Sequence, residues 1–252
     1  MKTLRFPFAR PVLALVGSLV LAVTLPLFAA DTMMEPSGKH AAAPLHYLAS
    51  NQLNPAALLP PPPPPGTAEQ DADMETVHTV YHAASEADKN AAYAEKEFTV
   101  FNFAPAVGAF FTVTNLPITA AFFAKVHEDA DTLTGVGKNY FKRPRPFTTD
   151  PTLANGKLEK SFGYPSGHST EATTLALVLA ELLPEKADAI LAHGRLMGWH
   201  RVQIARHYPT DIYAGRVLAQ AIVHELKANP DFQTDFTGVK AELTAAQKRI
   251  VN

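Results

Sequence analysis

The chain has 252 residues, with 22 basic and 24 acidic side chains, 47% hydrophobic content and no cysteine. This is the composition of one ordinary globular domain, and it excludes cysteine-stapled miniproteins and chains dominated by disordered tails. A cysteine count of zero removes thiolate catalysis, disulfides and Cys-ligated metal sites, and a formal charge of −2 argues against general affinity for nucleic acid or anionic membrane.

Lys2, Arg5 and Arg10 precede an apolar run over residues 12–28 that closes on Ala29, Ala30 and Asp31. Basic, greasy and small-residue regions in that order read as a secretory signal peptide over residues 1–30. Broken by Gly17 and Ser18, the run is short for a span of about 20 residues, so a membrane anchor is the lesser reading. No later stretch is apolar for long enough to span a bilayer, and the mature protein is expected to be secreted or periplasmic, with no membrane attachment. Residues 31–66 form an N-terminal arm, at first polar and alanine-rich, then Leu58, Leu59 and the polyproline segment from Pro60 to Pro65, closed by Gly66. A polyproline II strap or linker is expected; the run lacks the flanking basic residues of a docking peptide.

Residues 67–252 read as one helical domain. Residues 68–94 are rich in Ala, Glu, Asp and Lys without proline, which predicts helix. Phe98, Phe101, Phe103, Phe110, Phe111, Phe122 and Phe123 are expected in the core. A helix is predicted to stop just before Pro144, because proline restricts its predecessor. Residues 170–183 are apolar nearly all round, marking a buried helix stopped by Pro184. Residues 185–205 and 210–228 predict two more helices, the second carrying Ile212, Ala219, Ile222, Val223 and Leu226 as one stripe. With no hairpin signal, the fold class is all-α, a compact helical bundle.

Three polar clusters stand out. The first runs from Lys138 through Arg143, Pro144, Arg145 and Pro146; its cations suit the negative end of a helix dipole on a solvated face, and equally suit an anion. The second, Tyr164-Pro165-Ser166-Gly167-His168-Ser169-Thr170, stands ahead of the buried helix, whose first N–H groups lack intrahelical partners. Ser169 could simply cap that helix, yet Gly167, the Ser166 hydroxyl and His168 together make an anion site. In the third, His200-Arg201 leads by five residues to His207 and by three more to Asp211. Asp211, in a first helical turn, can accept from one nitrogen of His207 and leave the other as nucleophile or metal ligand. His200, His207 and Asp211 are also candidate metal ligands, the lesser reading because Arg201 and Arg206 would repel a cation.

Lys138 with six residues to Arg145-Pro146, then Pro165-Ser166-Gly167-His168, then Arg201 with five residues to His207 and three to Asp211, resembles the three-part signature of the phosphatidic acid phosphatase type 2 superfamily, which also holds the vanadium haloperoxidases. Within it the chain is most similar to the class A bacterial non-specific acid phosphatases. The likeness extends over about residues 45–245, taking in the leucine-then-polyproline segment. One departure is His200, where serine is usual before the arginine.

The resemblance implies an acid phosphatase that hydrolyses phosphate monoesters of broad structure. His207 would be the nucleophile forming a phosphohistidine, Asp211 its orienting partner, and His168 the acid that protonates the leaving alcohol and then activates water. Lys138, Arg145, Ser166, Gly167 and Arg201 would hold the phosphate, and no metal or cofactor would be needed. His207 is expected neutral and His168 protonated, with phosphate or vanadate as inhibitors. The alternatives are a vanadate-dependent haloperoxidase, a lipid-phosphate phosphatase, a non-catalytic phosphate-binding protein, or a docking protein acting through the proline arm. Sequence leaves open the preferred substrate, phosphotransfer to other acceptors and whether the chain forms a homo-oligomer. The other histidines, His127 among them, are expected at the surface or in packing.

Overall fold

Side chains cap the first turn of several helices of this chain, and the computed structural model, which describes residues 45–251, places ten of them. The expected signal segment and residues 31–44 lie outside the described residues. Helix α1 (Pro55–Leu58) is one turn opened by Asn54. Thr67 caps α2 (Ala68–Ala83), and Ser85 opens α3 (Glu86–Ala94) through a capping box in which Asp88 returns a bond to the Ser85 N–H. The expected helical stretch 68–94 is therefore two helices, split where Ser85 and Asp88 supply a new start.

A 3₁₀ turn (Val100–Phe103) and α4 (Ala104–Val107) lead into the long α5 (Pro117–Phe141), which ends at Lys142 in the left-handed region, ahead of Pro144 as expected. Then come α6 (Pro146–Thr149), α7 (Gly167–Leu182), α8 (Ala187–Gln203), α9 (Pro209–Ala228) and α10 (Pro230–Val251). No strand occurs among the described residues, so the molecule is all-α. Helix α7 starts three residues earlier than its apolar run suggests, because Ser166 rather than Ser169 is the cap: its Oγ accepts from the Ser169 N–H at 3.4 Å.

Helix α7 is the centre of the bundle, packed by α5, α8 and α9. Leu175, Val178, Leu179 and Leu182 are buried, each worth about 1.5–3 kcal/mol of transfer free energy. Helix α10 adds Phe232, Val239, Leu243 and Ala246 over α5 and α9. The aromatic segments enter the same core, with Phe98, Phe103, Phe111, Phe122 and Phe123 buried and Phe101 and Phe110 packed against them. Two glycines set how closely the helices approach the start of α7. A Cβ on Gly215 of α9 would stand 2.8 Å from the Ser166 carbonyl oxygen, and one on Gly137 of α5 would stand 2.8 Å from the Pro165 ring.

The proline arm lies along this bundle. Tyr47, Leu48 and Leu59 are buried, the buried Asp129 accepts from the His46 and Tyr47 N–H groups, and the Tyr164 hydroxyl donates to the Pro60 carbonyl at 2.6 Å.

Candidate active site

Three helix ends and two loops converge on one pocket of about 350 Å³. Lys138 comes from the last turn of α5, Arg145 from the extended link to α6, Gly167 and His168 from the first turn of α7, Arg201 from the last turn of α8, and His207 from the residues just before α9. The fixed spacing of Arg201 and His207 has a local cause. Ala205 adopts a left-handed conformation and turns the chain back after α8, so that the N–H groups of Arg206 and His207 both donate to the Arg201 carbonyl, at 2.8 and 3.3 Å.

Asp211 serves two purposes in the first turn of α9. Its Oδ2 accepts from the Tyr208 N–H at 3.0 Å, capping the helix, and from His207 Nδ1 at 3.2 Å. A carboxylate only accepts, so the proton of neutral His207 sits on Nδ1 and the lone pair on Nε2. Arg145 Nη1 donates to that lone pair at 3.0 Å. Burial first, then Arg145, Lys138, Arg201 and His168, hold the pKa of His207 well below its ordinary 6.5, so the ring is neutral.

His168 differs from its expected state. Burial, then Arg201, pushes it down to about 4, so the pocket by itself favours the neutral ring rather than the imidazolium. Its Nε2 donates to the Glu95 carbonyl at 3.0 Å, which leaves Nδ1 for proton exchange. Lys138 donates from Nζ to the Phe162 carbonyl at 2.7 Å; burial and the neighbouring Arg145 bring it down to about 7. Arg145 is also held by the Ser161 carbonyl at 2.7 Å and hydroxyl at 3.0 Å, and burial lowers it to about 10. The Nε of Arg201 is buried with no protein partner, the kind of orphaned donor that an anion satisfies. Ser166 is wholly buried one residue behind Gly167, its N–H bonded to the Asp211 carbonyl at 3.0 Å.

Several residues here escaped sequence reasoning. Arg143, two positions from Arg145, faces away from the pocket and donates to Asp211, Thr210, Gln70 and Asp73 at 2.6–2.7 Å, stacked on the Tyr208 ring. It ties α2 to the start of α9. Glu159 lines the pocket and engages both Arg201 Nη2 and, at 2.9 Å, Arg206 Nε. Burial pushes its carboxyl up, but Arg201, Arg145 and Arg206 outweigh that and hold it below the ordinary range. His127, expected at the surface or in packing, lines the pocket 3.1 Å from Glu171. Burial pushes His127 down and Glu171 more than restores it. Glu97, Asp131 and Glu171 add carboxylates to the same pocket lining. Only the arginine-rich cluster carried any signal for these roles, and spacing alone does not separate Arg143 from Arg145.

A family model described as the PAP2 superfamily matches residues 105–233, a span containing every residue of the three clusters. The chain is 32% identical over 220 residues to a non-specific acid phosphatase of Providencia stuartii, covering 81% of this chain and 87% of that one. It is 32% identical over 151 residues to an acid phosphatase of Zymomonas mobilis, covering 58% and 57% of the two chains. With a non-specific acid phosphatase of Salmonella typhimurium it shares 37% identity over 116 residues, covering 44% and 46%.

Proposed function

We propose, since this chain belongs to the PAP2 superfamily, that it is an exported, metal-independent acid phosphatase acting on phosphate monoesters through a phosphohistidine. The observation that carries this reading is one pocket in which a neutral His207, its Nδ1 held by Asp211, stands among Lys138, Arg145 and Arg201. Export rests on the N-terminal pattern alone. Metal independence is supported by the cations, which repel a metal ion from the place where phosphate would sit.

The phosphate oxygens are taken by Lys138, the Arg145 and Arg201 guanidinium groups and the free N–H groups at the start of α7. Binding draws Arg145 from His207 Nε2, which attacks phosphorus as the bond to the leaving oxygen breaks. His168 gives its proton to that oxygen. Water then attacks the phosphohistidine while His168 takes a proton, and the phosphorus–nitrogen bond breaks to return neutral His207. A pKa of about 4 at His168 leaves the question of where its proton comes from. A monoester has a second ionisation near about 6, so in mildly acidic solution the substrate itself carries the proton in. Its remaining negative charge then stabilises the imidazolium.

His207→Ala is expected to lower p-nitrophenyl phosphate hydrolysis by at least about a thousandfold while the protein keeps its helical circular dichroism. Quenched wild-type enzyme should carry an acid-labile, alkali-stable phosphoryl group that the variant lacks. Substantial turnover by the variant would remove His207 as nucleophile. Activity lost to a chelator and restored by zinc or magnesium would overturn metal independence.

A further inference from the structure

His200 replaces the expected serine and stands next to Arg201 in the chain, yet it is not among the residues that line the pocket. Its ring is buried on α8, and its Nδ1 donates to Glu95 Oε2 at 2.7 Å. Glu95 is the residue that closes α3, and its main-chain carbonyl is the acceptor for His168 Nε2 at 3.0 Å. The residues that follow, Lys96, Glu97 and Phe98, form the pocket wall on that side, with the Phe98 ring 5.5 Å from the ring of His168.

We infer that His200 is a positioning residue for proton transfer to the leaving group: by anchoring the Glu95 carboxylate it fixes the Glu95 carbonyl, which in turn holds His168 with Nδ1 toward the substrate. The chain of contacts is short and directional. A carboxylate only accepts, so the His200 proton is on Nδ1; a carbonyl only accepts, so the His168 proton on that side is on Nε2. Without His200, Glu95 keeps a buried carboxylate with no donor, an arrangement costly enough that the side chain turns away and takes the end of α3 with it. The Glu95 backbone then moves, and His168 loses the bond that sets its orientation. His207, Lys138, Arg145 and Arg201 are held by other partners and stay in place.

The inference rests on the phosphatase reading and has a signature that a general loss of fold does not share. A p-nitrophenolate leaves readily without a proton, whereas the alkoxide of an alkyl phosphate must be protonated as it leaves. His200→Ala is expected to lower kcat/KM for glycerol phosphate by at least about tenfold, and for p-nitrophenyl phosphate by less than about threefold. Asn carries its amide nitrogen close to where Nδ1 stood, so His200→Asn should restore much of the ratio. Glu95→Ala should reproduce the His200→Ala ratio, and the double variant should add little to it. An equal fall for both substrates, or no fall for either, overturns the inference, as does a His200→Asn variant no better than His200→Ala when its melting temperature matches that of the wild type. If wild-type protein hydrolyses neither substrate, the phosphatase reading itself fails, a distinguishable result.

Discussion

Lys138 and Glu159 show how single residues tune this pocket in opposite directions. A lysine is charged below its pKa, so a group brought to about 7 by burial and Arg145 loses its grip on phosphate as pH rises through neutrality. The kcat/KM profile, which reports both free enzyme and free substrate, should fall above about pH 6 as the monoester loses its second proton and more steeply above about pH 7 as Lys138 loses its own, and Lys138→Arg should remove only the second fall because guanidinium keeps its charge. Glu159 is held ionised by three arginines and, on the proposed reading, would compete with phosphate for Arg201. Glu159→Gln is accordingly expected to tighten inhibition by inorganic phosphate about threefold to tenfold, measured as Ki at fixed pH. Weaker inhibition would instead mean that the carboxylate mainly holds Arg201 in place. Lys138, Arg145, His168, Arg201, His207 and Asp211 stood out in the sequence as spaced motifs, and in the fold each lies at or within about a turn of a helix end, where a short stretch of chain fixes its position. Glu159 and Glu95 did not, since each belongs to a segment placed by tertiary packing, and His127, though on α5 with Lys138, stands in no spaced motif.

At the level of elements, the start of α7 depends on helices that the linear pattern does not connect to it. Gly215 is one residue in an apolar stripe, and nothing in that stripe marks it as special; only the approach of α9 to the Ser166 carbonyl does. Gly215→Ala should cost about 1–3 kcal/mol, read as a lower melting temperature, and should raise KM for phosphate esters by displacing the N–H groups of Gly167 and His168. A loss of stability with unchanged KM would mean that α9 moves instead. The same limit explains the helix boundaries. Proline marked the end of α5 and the start of α9 well, whereas the division between α2 and α3 depended on Ser85 and Asp88 acting together, within a composition that reads as uniformly helical.

For the whole molecule, the all-α class was legible because buried helices leave a periodic or wholly apolar trace. The seating of the arm was less so, since a proline run specifies stiffness and not the surface it meets. The described part of the arm, residues 45–66, contributes Tyr47, Leu48 and Leu59 to the core, so that part belongs to the bundle. Deleting residues 45–59 should lower the melting temperature markedly, with Tyr47→Ala alone costing about 3–5 kcal/mol by denaturant titration. A truncated protein as stable as the full chain would show that the core closes without it.

The division of labour around the pocket has a practical consequence for redesign. On the proposed reading phosphate would be held by residues from the ends of α5, α7 and α8, the link to α6 and the turn before α9, while Lys96, Glu97 and Phe98, between α3 and the 3₁₀ turn, line another part of the same pocket. A library confined to positions 96–98 can therefore diversify which esters are accepted, sparing the anion-holding machinery from the screen.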